Sequence, residues 1–432
     1  IAMLAPFGLQ PKGTVSARMV PLAQALARRG HMVRIVIPPW DDPSEREAER
    51  HEITSVAAVT DVADGRVAGV HTVALLLPRR LPSSVALTYG LVRQALRPTT
   101  RAVAPFEHGE ERTALRALTT FRAEVVHVFK PIGYSGLAGF ALSAMRVPWV
   151  LDVDDWEGPG GWADANRYPL PERLSLALME AALPRMARSV TAASRTLEAR
   201  AWHMGLPRRR VSYMPNGVWE ARYASWAACT PDSPEVAHMR TTLFPDGGPV
   251  VLLYTRFAEY PYRWPLEVFR RLLPAHPDAH LLVVGAGFNG EEERLRIDAE
   301  AAGIGGRVTI TGRVPEAQVP VYLALGDVLL YPMADTLINR AKSPVKVLEP
   351  MLMGLPVVAH RVGQAAEFLG GAGVLVEAGD LGGMARAASR LLTHPDQARA
   401  LGERARARVW SRYNWDRLSA EAEGAYRHAL GG

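Results

Sequence analysis

Short unbroken apolar runs, each closed by glycine, proline or charge, punctuate the chain. In the first half they fall at residues 2–5, 33–37, 125–129, 149–153, 189–192 and 211–214. Runs of this length, apolar at successive positions, predict strands buried on both faces of a parallel sheet. Between them the period changes. Val20, Leu22, Ala23, Leu26 and Ala27 recur at helical spacing, so a helix is expected over about residues 17–30, ended by Gly30. A strand–helix alternation of this kind means a doubly wound sheet.

The alternation weakens over residues 218–248, rich in Ala, Pro, Asp and Ser, and then restarts. Strands are expected at 250–255, 280–284, 308–311, 328–331, 357–359 and 373–376, with helices including 266–273, 291–302 and 345–353. The division that follows is a first domain over 1–217, a linker and approach over 218–247, and a second domain over 248–411. A last amphipathic helix, within about 412–432, is expected to cross back to the first domain. The opening residues lack the charged start of a secretory leader and read as a first strand, and no apolar run is long enough to span a bilayer. Over residues 83–105, Leu87, Leu91, Val92 and Leu96 share helical spacing with Arg93, Arg97 and Arg101. That pattern fits a surface helix or a face that docks on anionic membrane.

Composition adds three things. The chain is 48% hydrophobic and 22% charged, which excludes disordered and collagen-like classes. One cysteine, Cys229, excludes a disulfide framework and a cysteine-rich zinc site, in keeping with a cytoplasmic protein. Of 50 basic residues only Lys12, Lys130, Lys342 and Lys346 are lysine. Arginine-rich coding explains the rest. The retained lysines are expected where a compact cation meets phosphate or sugar oxygen. The basic excess is confined to residues 1–217, at +7, against −1 for the remainder. It suits an acidic acceptor or anionic surface, or is a solvated basic face.

Candidate chemistry sits at predicted strand ends, where ligands bind in open α/β sheets. Lys12 and Gly13 lie at the tip of a loop that could cradle an anion, or form an ordinary strand-to-helix turn. Lys130 follows one strand, beside His127, whose place within the strand suggests core packing. Asp152, Asp154 and Asp155 end the next strand as a base, a metal site, an acceptor-hydroxyl binder or plain loop carboxylates. In the second half, Arg256 and then Arg263 follow a strand, Gly285 and Gly287 form a turn suited to close approach by a nucleotide, and Gly312-Arg313-Val314 ends another strand. Lys342-Ser-Pro-Val-Lys-Val-Leu-Glu349 opens a helix. Its N-terminus with Lys342 and Lys346 makes a positive field suited to a diphosphate, and Glu349 stands three residues after Lys346, the spacing of a helical ion pair.

In order and spacing these segments resemble the retaining glycosyltransferases of family 4. The segment 343–358, Ser-Pro-Val-Lys-Val-Leu-Glu-Pro-Met-Leu-Met-Gly-Leu-Pro-Val-Val, is similar to the family's Ser-Pro-x-Lys variant. Pro215-Asn-Gly217, Thr255-Arg256, Gly285-x-Gly287, Gly312-Arg-Val314, Val362-Gly-Gln-Ala-Ala-Glu367 and Arg412-Tyr-Asn-Trp-Asp416 support it. The resemblance implies the GT-B fold, two Rossmann-like doubly wound parallel-sheet domains facing across a cleft. It implies transfer of a sugar from a UDP- or GDP-linked donor to an acceptor hydroxyl with retention, without metal or cofactor.

Glu349 would then bind the ribose. Ser343, Pro344, Val345 and Lys346 would lie near diphosphate and sugar, with Gly285, Gly287, Arg313 and Val314 also on the donor and Gly13 approaching its β-phosphate. Lys12, Arg256, Arg263 and Lys346 would stabilise the leaving group, with Lys130 also at the cleft and Asp154 or Asp155 positioning the acceptor. The acceptor would be a glycan, a lipid-linked sugar or a small molecule, with peripheral contact to the inner membrane face, and no nucleic acid is implied.

Three positions depart from the family pattern: Ala341 replaces a glutamate, Pro261 a lysine and Phe129 a histidine. An epimerase of the same fold and a degenerate, binding-only protein are the alternatives.

Overall fold

The computed structural model describes residues 1–6, 14–37, 54–63, 66–67, 71–75, 88, 92–93, 95–96, 99–103, 117–219, 223, 226 and 229–431. The chain divides into two units. The first comprises Ile1–Ala193, Leu197–Met214 and Ser419–Gly432, and the second Ser194–Thr196 and Pro215–Leu418.

Among the described residues the first unit holds strands β1 (Ala2–Leu4), β2 (Val33–Ile37), β3 (Thr54–Ala63), β4 (Arg66–Val67), β5 (His71–Leu75), β6 (Thr99–Val103), β7 (Ala117–Phe121), β8 (Val126–Phe129), β9 (Trp149–Val153), β10 (Ser189–Ala192) and β11 (Val211–Tyr213). The main sheet runs β11-β10-β9-β8-β1-β2-β3-β4. From β11 to β2 every neighbouring pair is parallel. Strand β3 turns antiparallel on β2 and carries β4 and β5. The chain order reverses between β1 and β8, so the ends of those strands flank a switch point.

The second unit is a six-stranded parallel sheet of β12 (Val250–Tyr254), β13 (His280–Val284), β14 (Val308–Ile310), β15 (Val328–Tyr331), β16 (Val357–His360) and β17 (Val374–Val376). Its order, β14-β13-β12-β15-β16-β17, is the Rossmann order, with the switch point between β12 and β15. Alternation explains the unbroken apolar runs. Val250, Leu252, Leu282, Val284 and Leu329 enter one core, whereas Val251, Leu253, Leu281, Val283 and Leu330 enter a second. Side chains of a strand alternate in direction, so a sheet covered on both faces is apolar at every position.

Two expectations change. Residues 99–103, read as the end of a helix, form β6, paired antiparallel with β7. Thr99, Thr100 and Val103 are β-branched, and strand pairing overrides the helical spacing upstream. The structure also places the described residues of 218–247, read as linker and approach, in the second unit. Val218, Tyr223, Trp226, Val236 and Phe244 are buried in its core, and Pro234–Leu243 is a helix. The last helix, Trp415–Leu430, begins in the second unit, and from Ser419 it belongs to the first.

Candidate functional site

In the second unit, β12 ends at Tyr254 and the chain turns sharply. Phe257 adopts φ 59°, and its N–H donates to Thr255 Oγ1 at 2.8 Å, which also accepts from Tyr260 OH at 2.6 Å. The turn leaves Arg256 at the switch point with its side chain 43% exposed. On the other side, the eight-residue helix Val345–Leu352 begins after Pro344, with no side-chain cap, so its first N–H groups are open to an anion. Lys346 lies on its first turn with Nζ 3.5 Å from the Tyr254 ring centroid. Burial lowers Lys346 to about 8, with Glu349 and Glu259 opposing and Arg256 adding to the effect. A cation in that condition gains from an incoming anion.

Glu349 is buried and accepts from Tyr223 OH at 2.6 Å. Ser343 is tied to the Asn-Gly turn: Asn216 N–H donates to its Oγ at 2.8 Å and Asn216 Nδ2 to its carbonyl at 2.7 Å. Gly285, at φ 123°, donates to the Gly312 carbonyl at 2.9 Å, and Gly287 donates to Glu292 at 2.9 Å. Arg313 is exposed and Val314 packs on the core. Arg263 is not drawn into the group around Arg256: its Nε donates to Asp298 at 2.8 Å on a helix surface.

Sequence reasoning missed Glu259, which binds Arg256 and Lys342, and Tyr223. The Arg256–Glu259 spacing of three was a usable signal. So was the Trp219, Tyr223, Trp226 spacing, passed over as linker.

In the first unit, Lys130 follows β8 at the switch point with φ 63°, outside the range most side chains adopt. It is buried, and its Nζ lies 2.5 Å from Asp155, 2.8 Å from Glu157 and 3.1 Å from Asp154. Burial opposes the ammonium, but the three carboxylates outweigh it and hold Lys130 well above its ordinary value. Burial lifts Glu157 to about 7, against the pull of Lys130. Asp154 is also raised by burial, and Thr14 donates to it at 2.7 Å. Those three carboxylates have the spacing of a cation site, and the ammonium already lies among them. Lys130, expected to meet substrate oxygen, is held here in a pocket of protein carboxylates.

Asp152, taken as a candidate with Asp154 and Asp155, instead lies inside β9. It receives Arg18 through Nε and Nη2, each at 2.7 Å, and Thr191 Oγ1 at 2.6 Å. His127 completes this buried network, between Tyr426 OH at 2.9 Å and Thr191 at 3.2 Å, as its place in the strand suggested. Lys12 and Gly13 lie outside the described residues.

Two Rossmann-like units, one with cations and a helix N-terminus at its switch point, define a two-domain α/β protein of nucleotide-binding type. The family profile described as Glycosyl transferase 4-like domain matches residues 13–217, and Glycosyl transferases group 1 matches 248–394. A 2-deoxystreptamine N-acetyl-D-glucosaminyltransferase of Streptomyces fradiae is 31% identical over 320 residues, 72% of each chain. A GDP-mannose-dependent alpha-(1-6)-phosphatidylinositol monomannoside mannosyltransferase of Mycolicibacterium smegmatis is 29% identical over 48% of this chain, which spans about half (53%) of that relative. The Anabaena protein HepE, solved in complex with UDP, shares the fold at TM-score 0.66 and 17% identity, with 98% of both chains covered. The chain belongs to the GT-B glycosyltransferases, and its reaction is glycosyl transfer.

Proposed function

We propose that the enzyme moves a sugar from a nucleoside diphosphate sugar to an acceptor hydroxyl with retention of anomeric configuration and without a metal ion. The observation that carries this is the convergence of Arg256, Lys346 and the open N-terminus of Val345–Leu352 at the switch point of a Rossmann sheet. Charge develops on the departing diphosphate in the transition state, and fixed cations and N–H dipoles stabilise it there more than in the ground state. Arg256 and Lys346 take the phosphates, and the family resemblance adds Lys12 and Gly13 as further phosphate ligands. Ser343, Pro344 and Val345 present backbone near phosphate and sugar, and Glu349, steadied by Tyr223, takes the ribose hydroxyls.

The acceptor in this reading carries amino groups. Around Lys130, the carboxyl groups of Asp154, Asp155 and Glu157 surround one ammonium at the end of β8 and β9, so acidic groups outnumber the cation there. Two relatives are named for 2-deoxystreptamine, an amine-bearing ring. A lipid-linked acceptor is the second reading. It is favoured by Leu170, Leu174 and Leu178, each more than 60% exposed at four-residue spacing on one helix. Among the described residues no helix is long and apolar enough to cross a membrane.

The test is incubation with UDP-glucose, UDP-N-acetylglucosamine and GDP-mannose, with 2-deoxystreptamine or with lipid vesicles, with and without EDTA. Nucleoside diphosphate release and the anomeric coupling of the product are followed by NMR. Donor configuration retained in an EDTA-insensitive product supports the reading. An inverted product, an epimerised donor, loss of turnover with EDTA, or donor binding without turnover each overturns it.

A further inference from the structure

Glu259 joins two cations, Arg256 and Lys342, through one oxygen. Its Oε1 accepts from Arg256 Nε at 3.1 Å and from Lys342 Nζ at 3.0 Å. Glu259 is 11% exposed and Lys342 7%, whereas Arg256 stays 43% exposed. The backbone is anchored as well. The Glu259 carbonyl accepts from Ala334 N at 2.9 Å and Asn339 Nδ2 at 2.7 Å, and Asn339 is fixed by the Thr336 cap. An exposed ion pair of the ordinary kind has no such support.

Resting on the donor reading above, we infer that Glu259, with Lys342 as its counter-charge, is a positioning residue that holds Arg256 by Nε so that the outer guanidinium faces the donor diphosphate. Arginine has five donors in a rigid fork, so engaging one edge orients the rest. Burial would raise the Glu259 carboxyl, but Lys342 and Arg256 outweigh it and keep Glu259 ionised, below the usual carboxylate range. The same charge reaches Lys346. That ammonium is faced by Glu349 on its own helix, by Glu259 and Arg256 on the segment after β12, and by the Tyr254 ring. Without Glu259, Arg256 loses its guide and Lys346 loses a proton more readily.

Calorimetric titration with UDP and with GDP, between about pH 6 and pH 10, tests this on the full chain, with melting curves to confirm folding. In the wild type, affinity falls above about pH 8. In Glu259→Gln the fall begins about one pH unit lower, the effect of one charge at several ångströms in partly screened surroundings. Lys342→Met breaks the same ion pair from its other end and does not move the fall downward. Arg256→Met costs about tenfold in the wild type and clearly less in Glu259→Gln. If Glu259→Gln does not fold, Glu259→Asp keeps the charge but not the reach: it retains the wild-type pH onset and loses the coupling to Arg256. Additive losses, or Glu259→Gln and Lys342→Met moving the profile the same way, overturn the inference while the donor reading stands. No binding of UDP or GDP by the wild type overturns the donor reading and this inference with it.

Discussion

Replacing Gly285 by alanine tests whether the turn after β13 fixes the donor cluster. Gly285 adopts φ 123°, and a Cβ there would lie 1.9 Å from the Thr255 carbonyl oxygen and 3.0 Å from its carbon. Ordinary contact requires the Cβ and the carbonyl oxygen to separate by at least about 1.5 Å. Thr255 has little room to yield. Its N–H donates to Val284 at 2.9 Å, and its Oγ1 accepts from Phe257 and Tyr260. Backbone strain of about 1–3 kcal/mol and the forced shift together amount to about 3 kcal/mol. For a unit of about 200 residues that lowers the melting temperature by about 6–12 °C.

Thr255 precedes Arg256, so the shift also reaches the side chain proposed to bind the diphosphate, and on that proposal UDP affinity is expected to fall about tenfold or more. Gly290→Ala is the control. Gly290 also has positive φ, at 71°, but among the described residues beyond its chain neighbours no atom lies within 4 Å of a Cβ. It should lose about 1 kcal/mol, about 2–4 °C, with UDP affinity unchanged. Melting curves and UDP calorimetry on the two variants decide the matter. Equal melting temperatures and wild-type UDP binding in Gly285→Ala would refute the reasoning.

Lys346 is held at about 8 by burial; if it binds the diphosphate as proposed, UDP affinity should fall about tenfold per pH unit above that value. Lys346→Met should bind weakly at every pH, and a pH-dependent Lys346→Met would count against the assignment. His127 is held at about 4 by burial, against an ordinary 6.5, so the fold keeps it neutral. Its contribution is fully present above pH 6.5 and is lost as pH falls toward 4, on the order of 3 kcal/mol. Urea unfolding of the wild type should steepen over that window and that of His127→Asn should be flatter; identical profiles would contradict this. Asp152→Asn leaves fully buried Arg18 without its carboxylate and should cost about 3–5 kcal/mol in urea unfolding. A loss below about 1 kcal/mol would mean that Met214 and solvent satisfy the guanidinium.

The second sheet was legible because burial on both faces writes itself as unbroken apolar runs. All six strands fall within a residue or two of the runs that predicted them. The antiparallel strands β3 to β5 were not, since Thr54–Ala63 mixes Ser, Thr, Ala and Asp with three valines and has no apolar face to count. Within the site, Arg256, Lys346 and Glu349 announced themselves by position relative to a strand end or a helix start. The Lys342–Glu259 pair spans 83 residues, and no local pattern encodes a contact of that separation.

The rarity of lysine illustrates the same limit. Position at a strand end suggested that lysine is retained to meet substrate oxygen, but the structure surrounds Lys130 with three carboxylates and gives Lys342 a fourth. At Lys130 the oxygens approach one nitrogen from three residues at 2.5 to 3.1 Å. An ammonium has three donors around a single atom and matches such a pocket, whereas a guanidinium spreads its donors over a plane and would have to displace at least one carboxylate. Compactness of the cation is therefore what both sites share, and whether its partner is protein or ligand depends on what the fold brings within reach. Lys346 differs from both. Its Nζ lies over the Tyr254 ring, and its lowered proton affinity leaves it the described lysine whose charge has most to gain from an arriving anion.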